Sequence, residues 1–148
     1  MSFSVARMLG LVAAIVALPS AAGEFRSVAE NGTIFYDAPS LWAKKVFVAS
    51  RYYPVEIVVS IEGWMKVRDP AGDLSWVERR ALADKRTVIV TATQADVRQK
   101  ADDAAPLVFQ AQKGVALEVA ELGTTGWVLV RHRDGQSGFV RIRQLWGL

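Results

Sequence analysis

Few residues of this 148-residue chain could do catalytic chemistry, because it has no cysteine and a single histidine. We expect His132 to be an exposed residue before a turn, with no nucleophile signalled within hydrogen-bond reach. Zinc sites need several histidine or cysteine ligands. Asp102 and Asp103 lack further spaced carboxylates, so they predict a solvated turn rather than a cation site. We therefore expect no enzyme, no metal and no cofactor.

Arginine and aromatic residues remain, and these bind ligands rather than transform them. The densest cationic set lies near the C-terminus, where strand pairing is expected to bring its members close: Arg131, Arg133, Arg141 and Arg143. The set has two interpretations. It is either a solvated face or a surface that recognises carboxylates, which arginine binds through two parallel hydrogen bonds.

One aromatic motif occurs twice. Its copies are residues 63–68 (GWMKVR) with 75–77 (SWV), and residues 126–131 (GWVLVR) with 138–140 (GFV). Trp64 and Trp76 are 12 positions apart, and so are Trp127 and Phe139. The simplest explanation is two copies of one β-hairpin.

Period-two alternation explains why each copy forms a hairpin. Val128 and Val130 face one way, whereas Trp127, Leu129 and Arg131 face the other, and the first copy alternates likewise. One face is thus apolar, and the other carries an aromatic ring beside cations. The connecting segments carry the Pro, Asp-Gly and Gly signals of tight turns, at residues 69–73 and 133–136.

The whole chain follows this duplication, with residues 24–83 as a first repeat and residues 84–148 as a second. Each repeat predicts five short strands, then a 3₁₀ turn leading to a closing Leu, and the fold class is all-β. The strands are expected near residues 32–36, 45–49, 55–61, 64–69 and 74–77, and near 87–92 with a continuation through 95–98, then 107–109, 115–122, 127–132 and 137–140. We expect the repeats to pack together through Trp42 or through residues 145–148.

The N-terminus has the layout of a secretory signal peptide. Arg7 precedes an eleven-residue apolar run at 8–18, and the small residues at 19–23 suit cleavage after Ala22 or Gly23. The run is shorter than the roughly 20 residues that span a bilayer. Residues 1–23 are therefore predicted to be removed, leaving no stable membrane insertion. A retained anchor or a buried helix is the alternative.

Charge and cysteine content limit the partners and the compartment. Without Arg7, 17 basic residues face 15 acidic ones, and a net charge of +2 is too small to predict nucleic-acid binding. An exported chain without cysteine cannot use disulfides, which is common in a bacterial envelope. We expect a periplasmic or secreted bacterial protein.

Two tandem units with Gly-Trp-x-x-Val-Arg, a polar turn and a small residue before an aromatic and Val resemble the bacterial SH3-like domain family. The resemblance implies two small β-barrels whose aromatic residues line ligand grooves. It implies that Tyr36, Trp64 and Trp76 line the first groove, and that Trp127 and Phe139, with Arg131 beside them, line the second.

The resemblance also implies a function, namely recognition of peptide-like ligands. The rings that complete a polyproline groove are absent, since Glu78, Ala81, Arg141 and Gln144 occupy their places. We therefore expect cell-wall peptides as ligands. The alternative is an adaptor or regulator that binds an envelope protein. The sequence leaves the ligand's identity and the oligomeric state open.

Overall fold

The computed structural model describes residues 23–123 and 125–148. The predicted signal peptide therefore lies outside the described residues, apart from Gly23. No helix in the described part of the chain is long and apolar enough to cross a membrane.

The first half forms one seven-stranded sheet. Its strands are β1 (Glu24–Val28), β2 (Thr33–Tyr36), β3 (Lys45–Ala49), β4 (Pro54–Ile61), β5 (Trp64–Arg68), β6 (Leu74–Glu78) and β7 (Leu82–Ala83). They are hydrogen-bonded in the order β3-β2-β6-β5-β4-β1-β7, and every pair is antiparallel. Strand β3 is therefore an edge strand.

The second half repeats this arrangement. Its strands are β8 (Thr87–Val90), β9 (Gln94–Arg98), β10 (Leu107–Gln112), β11 (Ala116–Leu122), β12 (Trp127–Arg131), β13 (Ser137–Arg141) and β14 (Leu145–Trp146). The order β10-β9-β13-β12-β11-β8-β14 matches the first sheet strand for strand. Even the irregularities recur, because β4 and β11 each carry a register shift against the following strand.

Each sheet curls around its own core, as the alternation of the strands requires. In β5 the inward Met65 and Val67 are buried, and in β12 so are Val128 and Val130. Valine suits these positions because its branched side chain packs well on a pleated surface. The two cores share no residue, so each half has its own hydrophobic centre.

The predicted all-β fold is confirmed, and most predicted strands lie within two residues of those observed. The two predicted 3₁₀ turns are present at Arg79–Ala81 and Ile142–Gln144. Two expectations are wrong. Strand β1 was not expected, and residues 87–98 form two strands rather than one, because Thr91 to Thr93 turn the chain between them.

The two halves pack against each other through residues that include the C-terminal Trp146. This is one of the two contacts predicted from the sequence. The Trp146 ring meets Phe25 edge-on with centroids 5.3 Å apart. The guanidinium of Arg86 lies 5.4 Å from the centre of the Phe25 ring. The Thr87 hydroxyl donates a 2.6 Å hydrogen bond to the Tyr52 carbonyl. These contacts join the first sheet to the second.

Trp42 does not contribute to this packing, so the other predicted contact is wrong. Its side chain is 98% exposed, at the tip of the loop between β2 and β3. The loop holds its shape through local hydrogen bonds, including one from the Trp42 N–H to the Ser40 hydroxyl. Trp42 therefore projects into solvent from an ordered turn.

Candidate functional site

The outer surface of the first sheet carries three neighbouring rings, Tyr36, Trp64 and Trp76, which we call the first aromatic face. Strand pairing places them together, because Tyr36 is the partner of Trp76 and β6 also pairs with β5. The Tyr36 and Trp64 rings meet edge-on with centroids 5.6 Å apart. Tyr36 is 5% exposed, whereas both tryptophans are only half-buried. The three residues assigned to the first groove thus form one surface.

Turn geometry fixes where this face begins. Gly63 precedes Trp64 with φ of 75°, and Gly126 precedes Trp127 with φ of 85°. This left-handed backbone strongly favours glycine, which has no Cβ to clash. The glycine of the repeated motif is therefore the last residue of the turn that leads into the strand beginning with the tryptophan.

Charged groups border the first aromatic face. The Lys66 ammonium lies 5.9 Å from the centre of the Trp76 ring. Glu78 is the strand partner of Trp64, and its carboxylate pairs with Arg80 at 2.8 Å. A cleft of about 380 Å³ adjoins the face, and Tyr36, Glu78 and Arg80 are among its lining residues. The face thus offers rings for apolar contact and both signs of charge at its border.

The corresponding surface of the second sheet, around Trp127 and Phe139, is covered. Trp127 is only 5% exposed, because the Arg141 guanidinium lies 4.2 Å above its ring. Asp103 holds that guanidinium through Arg141 Nε at 3.2 Å and through a second nitrogen at 2.5 Å. Phe139, the other ring, is half-buried opposite Leu129. We call Arg141 with Asp103 the arginine cap.

Electrostatics reinforce the arginine cap. The hydrogen bond from Arg141 is the main reason that the pKa of Asp103 lies below its ordinary value, and the same bond raises the pKa of Arg141. Asp103 lies in an exposed turn, as the sequence predicts. Its carboxylate also forms a bidentate ion pair with Arg141 over the second surface.

The second surface also lacks the tyrosine of the first. Arg98 stands where Tyr36 stands, since each is the strand partner of the outward aromatic residue on the next strand. Its guanidinium donates to the Ala105 carbonyl at 2.8 Å and to Asp96 at 3.1 Å. Arg98 thus ties the loop between β9 and β10 to the sheet.

The four arginines near the C-terminus do not form one cluster, so that prediction is wrong. In the β12–β13 hairpin Arg131 faces Ser137, whereas Arg141 faces Trp127 at the other end. Arg131 is exposed and lies four residues along β12 from Trp127. The strand register therefore keeps Arg131 away from the arginine cap.

His132 is half-buried, not exposed as expected. Its ring lies 5.8 Å from that of Phe109, and its Nδ1 is 3.1 Å from Asp134. Hydrogen bonds from Gln136, the backbone N–H above all, lower the pKa of Asp134. Over the residues with described positions, no group of three or more His, Cys, Asp or Glu side chains could hold a metal ion.

Sequence reasoning missed an exposed apolar surface on the edge strand of the first sheet. Val46, Phe47 and Val48 of β3 are 47%, 42% and 60% exposed, and Leu41 in the preceding loop is 56% exposed. The Phe47 ring packs on Phe35 and Tyr53, so Val46 and Val48 point to the opposite side of β3. We call Val46 and Val48, with Leu41 and Trp42 of the preceding loop, the edge patch. The sequence feature that could have indicated this surface is the run of apolar residues at 46–49, which does not alternate with polar residues. It follows Trp42, which we had expected to be buried.

The chain is similar to several solved structures at low identity. NlpC2 from Trichomonas vaginalis aligns over 84% of this chain and 48% of its own, at 15% identity and a TM-score of 0.37. NlpC1 from Trichomonas vaginalis aligns over 93% and 50%, at 15% identity and a TM-score of 0.37. An NlpC/P60 family protein from Bacillus cereus ATCC 10987 aligns over 82% and 55%, at 13% identity and 0.39. The chain spans about half the length of these proteins.

No curated protein matches the chain. A family model is decisive, because the one described as bacterial SH3 domain matches residues 29–84 and again residues 91–147. These matches follow the two sheets and confirm the predicted pair of SH3-like units. With most of its length covered by the two matches, this chain belongs to the bacterial SH3 domain family.

Proposed function

We propose that this protein is an exported, non-enzymatic binding module of the bacterial envelope that recognises peptide-like ligands of the cell wall. The observation that carries the proposal is the first aromatic face, where two half-buried tryptophans and a tyrosine lie side by side. Partly exposed aromatic rings offer a large apolar contact area at low entropic cost, and they are enriched at binding sites.

The charges beside the rings favour a short peptide that carries both signs of charge. Lys66, above the Trp76 ring, suits a ligand carboxylate, and Glu78 suits an amine. Wall peptides offer both groups. We assign ligand binding to the first aromatic face, because the arginine cap covers Trp127 on the second surface.

The test replaces a tryptophan of the face and compares it with a tryptophan outside it. We expect Trp64→Ala to weaken binding of soluble muropeptides and retention on purified sacculi by about tenfold or more, through the loss of roughly 1.5–3 kcal/mol of apolar contact. Trp42→Ala is the matched control, because it removes the same ring from a fully exposed site. Amide NMR shifts should centre on β5 and β6.

Equal binding by the wild type and the Trp64→Ala variant would contradict the assignment to this face. Absence of any shift with muropeptides at millimolar concentration would contradict the wall ligand itself. Release of muropeptides from sacculi by the protein would contradict the non-enzymatic role.

The edge patch favours a second candidate, an adaptor that binds a protein segment of the envelope. Among the described strands, β3 pairs only with β2, so its other side can accept an added strand from a partner. Exposed Val46 and Val48 would contact alternate apolar side chains of that strand. The partner expected from these features is an extended segment with alternating apolar residues.

A backbone substitution tests this candidate. Val48→Pro removes one N–H from the edge and should abolish capture of an alternating apolar peptide such as acetyl-Thr-Val-Thr-Val-Thr-amide, while muropeptide binding persists. Val48→Thr keeps the N–H and serves as the control. If both variants capture the peptide equally, strand addition at β3 is wrong.

A further inference from the structure

A cleft between the two repeats is lined by cationic side chains and shares no residue with either aromatic surface. Its volume is about 280 Å³, and its lining includes residues from each repeat, namely Arg51 and Tyr52 from the first and Val115, Ala116, His132 and Arg133 from the second. No aspartate or glutamate lines it. The lining therefore combines two guanidinium groups with no carboxylate to neutralise them.

Seven of the eleven arginines in the described residues donate to an acceptor, and Arg51 and Arg133 are among the four that do not. Arg26, Arg68, Arg80, Arg98 and Arg141 each pair with a carboxylate. Within residues 23–123 and 125–148, the side chains of Arg51 and Arg133 have neither an ion pair nor a hydrogen bond to an acceptor. Their donors are available to a ligand.

The backbone around the cleft is held in an unusual conformation. Tyr52 has φ of 74°, and it is the one residue other than glycine with positive φ among the described positions. Such a conformation is unfavourable for a residue with a side chain and persists only where neighbouring contacts enforce it. Here the Tyr52 carbonyl accepts the Thr87 hydroxyl from the second repeat.

The Tyr52 ring lies beside two cations, of which Arg51 lines the cleft and Lys85 pairs with Glu118. The Arg51 guanidinium lies 4.9 Å from the ring centre, and the Lys85 ammonium lies 5.6 Å from it. A guanidinium on an aromatic ring loses less freedom when it binds a ligand, because its orientation is already restricted. Arg51 is therefore held beside the cleft.

His132 also lines the cleft and is held by Asp134. Its Nδ1 lies 3.3 Å from the Asp134 backbone nitrogen and 3.1 Å from the Asp134 carboxylate, so Nε2 is the ring nitrogen that these contacts leave free. The lining also includes the apolar side chains of Val115 and Ala116. A small cleft that combines these side chains with two arginines fits one carboxylate with a methyl-sized group attached, rather than a large ligand.

We infer that this cleft binds the C-terminal carboxylate of a short peptide with a small last residue, through Arg51 on one side and Arg133 on the other. Because the arginines come from different repeats, the bound carboxylate bridges the repeats. The inference does not depend on the first aromatic face.

The probe is the dipeptide acetyl-Ala-Ala with a free carboxylate, titrated into the full-length protein and followed by amide NMR. We expect shifts at Tyr52, Ala116 and Arg133, and none with the C-terminal amide of the same dipeptide. Each bidentate contact to a charged group corresponds to about a tenfold change in affinity. Arg51→Gln and Arg133→Gln should therefore each weaken binding about tenfold.

The matched control is Arg143→Gln, which removes the same charge from an exposed arginine outside the cleft. Trp64→Ala should also leave binding of the dipeptide unchanged, so the proposal for the cleft and the proposal for the first aromatic face are tested separately. Equal loss of affinity in Arg143→Gln and Arg51→Gln would overturn the inference, since it would indicate attraction by net charge alone. Equal shifts with the amide, or tighter binding of inorganic phosphate than of the dipeptide, would also overturn it.

Discussion

The two repeats share one backbone plan but present different outer surfaces. On the first sheet the strand partner of Trp64 is Glu78, and the tryptophan stays half-buried. On the second sheet the strand partner of Trp127 is Arg141, and the tryptophan is 5% exposed. The first surface is open and the second is covered because Glu78 is replaced by Arg141 at the equivalent strand position, and because Asp103 in a loop pairs with that arginine.

This difference shows how a duplicated fold can divide its tasks. The inward residues are alike in both repeats, since Met65 and Val67 correspond to Val128 and Val130. The outward residues differ in chemistry, because a tyrosine on the first sheet is replaced by Arg98 on the second. Packing thus maintains the fold, and outward positions set what each surface does.

The largest effect that tests this comparison is on stability. We expect Trp127→Ala to lower the free energy of unfolding by about 3–5 kcal/mol, as removal of a buried tryptophan does. Trp64→Ala should cost roughly 1–2 kcal/mol because its ring is only half-buried. Urea denaturation followed by circular dichroism measures both values.

Trp42→Ala again supplies the control, with an expected change within about 0.5 kcal/mol because the ring is 98% exposed. The comparison between the repeats fails if Trp64→Ala destabilises the protein as much as Trp127→Ala. In that case Trp64 would be a packing residue rather than part of an open face.

The burial of the inward-facing residues of each motif could be predicted from the sequence. The surroundings of the outward-facing residues could be predicted only in part. Alternation in residues 127–131 identifies Val128 and Val130 as core, because period two leaves no other apolar face. It does not show that Trp127 is covered. That depends on a loop carrying Asp103, which is 38 positions from Arg141 in sequence.

The contacts between repeats were equally hard to predict. A tryptophan in a loop is a reasonable candidate for burial, yet Trp42 is exposed and Trp146 packs on Phe25. The cleft between the repeats is lined by Arg51 from one repeat and Arg133 from the other, and only the packing of the two halves brings them to one cleft. No local pattern in the sequence records such a distance.

A smaller effect distinguishes the repeats at alkaline pH. All three tyrosines lie in the first repeat, and burial, followed by the charges of Asp69 and Asp73, raises the pKa of Tyr53 from 10.0 to about 12. A raised pKa favours the protonated folded state, so this contribution is complete below pH 10.0 and is lost as the pH rises toward about 12. Unfolding in urea on both sides of pH 10.0 measures it.

Tyr53→Phe is the matched variant, because it keeps the ring and removes the ionisable hydroxyl. The difference in stability between wild type and variant should shrink as the pH rises above the ordinary tyrosine range. A constant difference would show that Tyr53 does not govern the alkaline loss, and that the first repeat has no titrating core residue of its own.

The smallest effect concerns the arginine cap at acidic pH. Because the hydrogen bond from Arg141 lowers the pKa of Asp103, the cap stabilises the protein above the ordinary aspartate pKa and is lost as the pH falls through the lowered value. Acrylamide should then quench Trp127 more strongly in acid, and Asp103→Asn should show that stronger quenching already at neutral pH. Asp102→Asn, one residue away, is the control and should behave as the wild type. If Asp103→Asn leaves Trp127 as protected from acrylamide as in the wild type, the loop rather than the ion pair covers the ring. The difference between the two surfaces would then result from the position of the loop and not from the charges of Asp103 and Arg141.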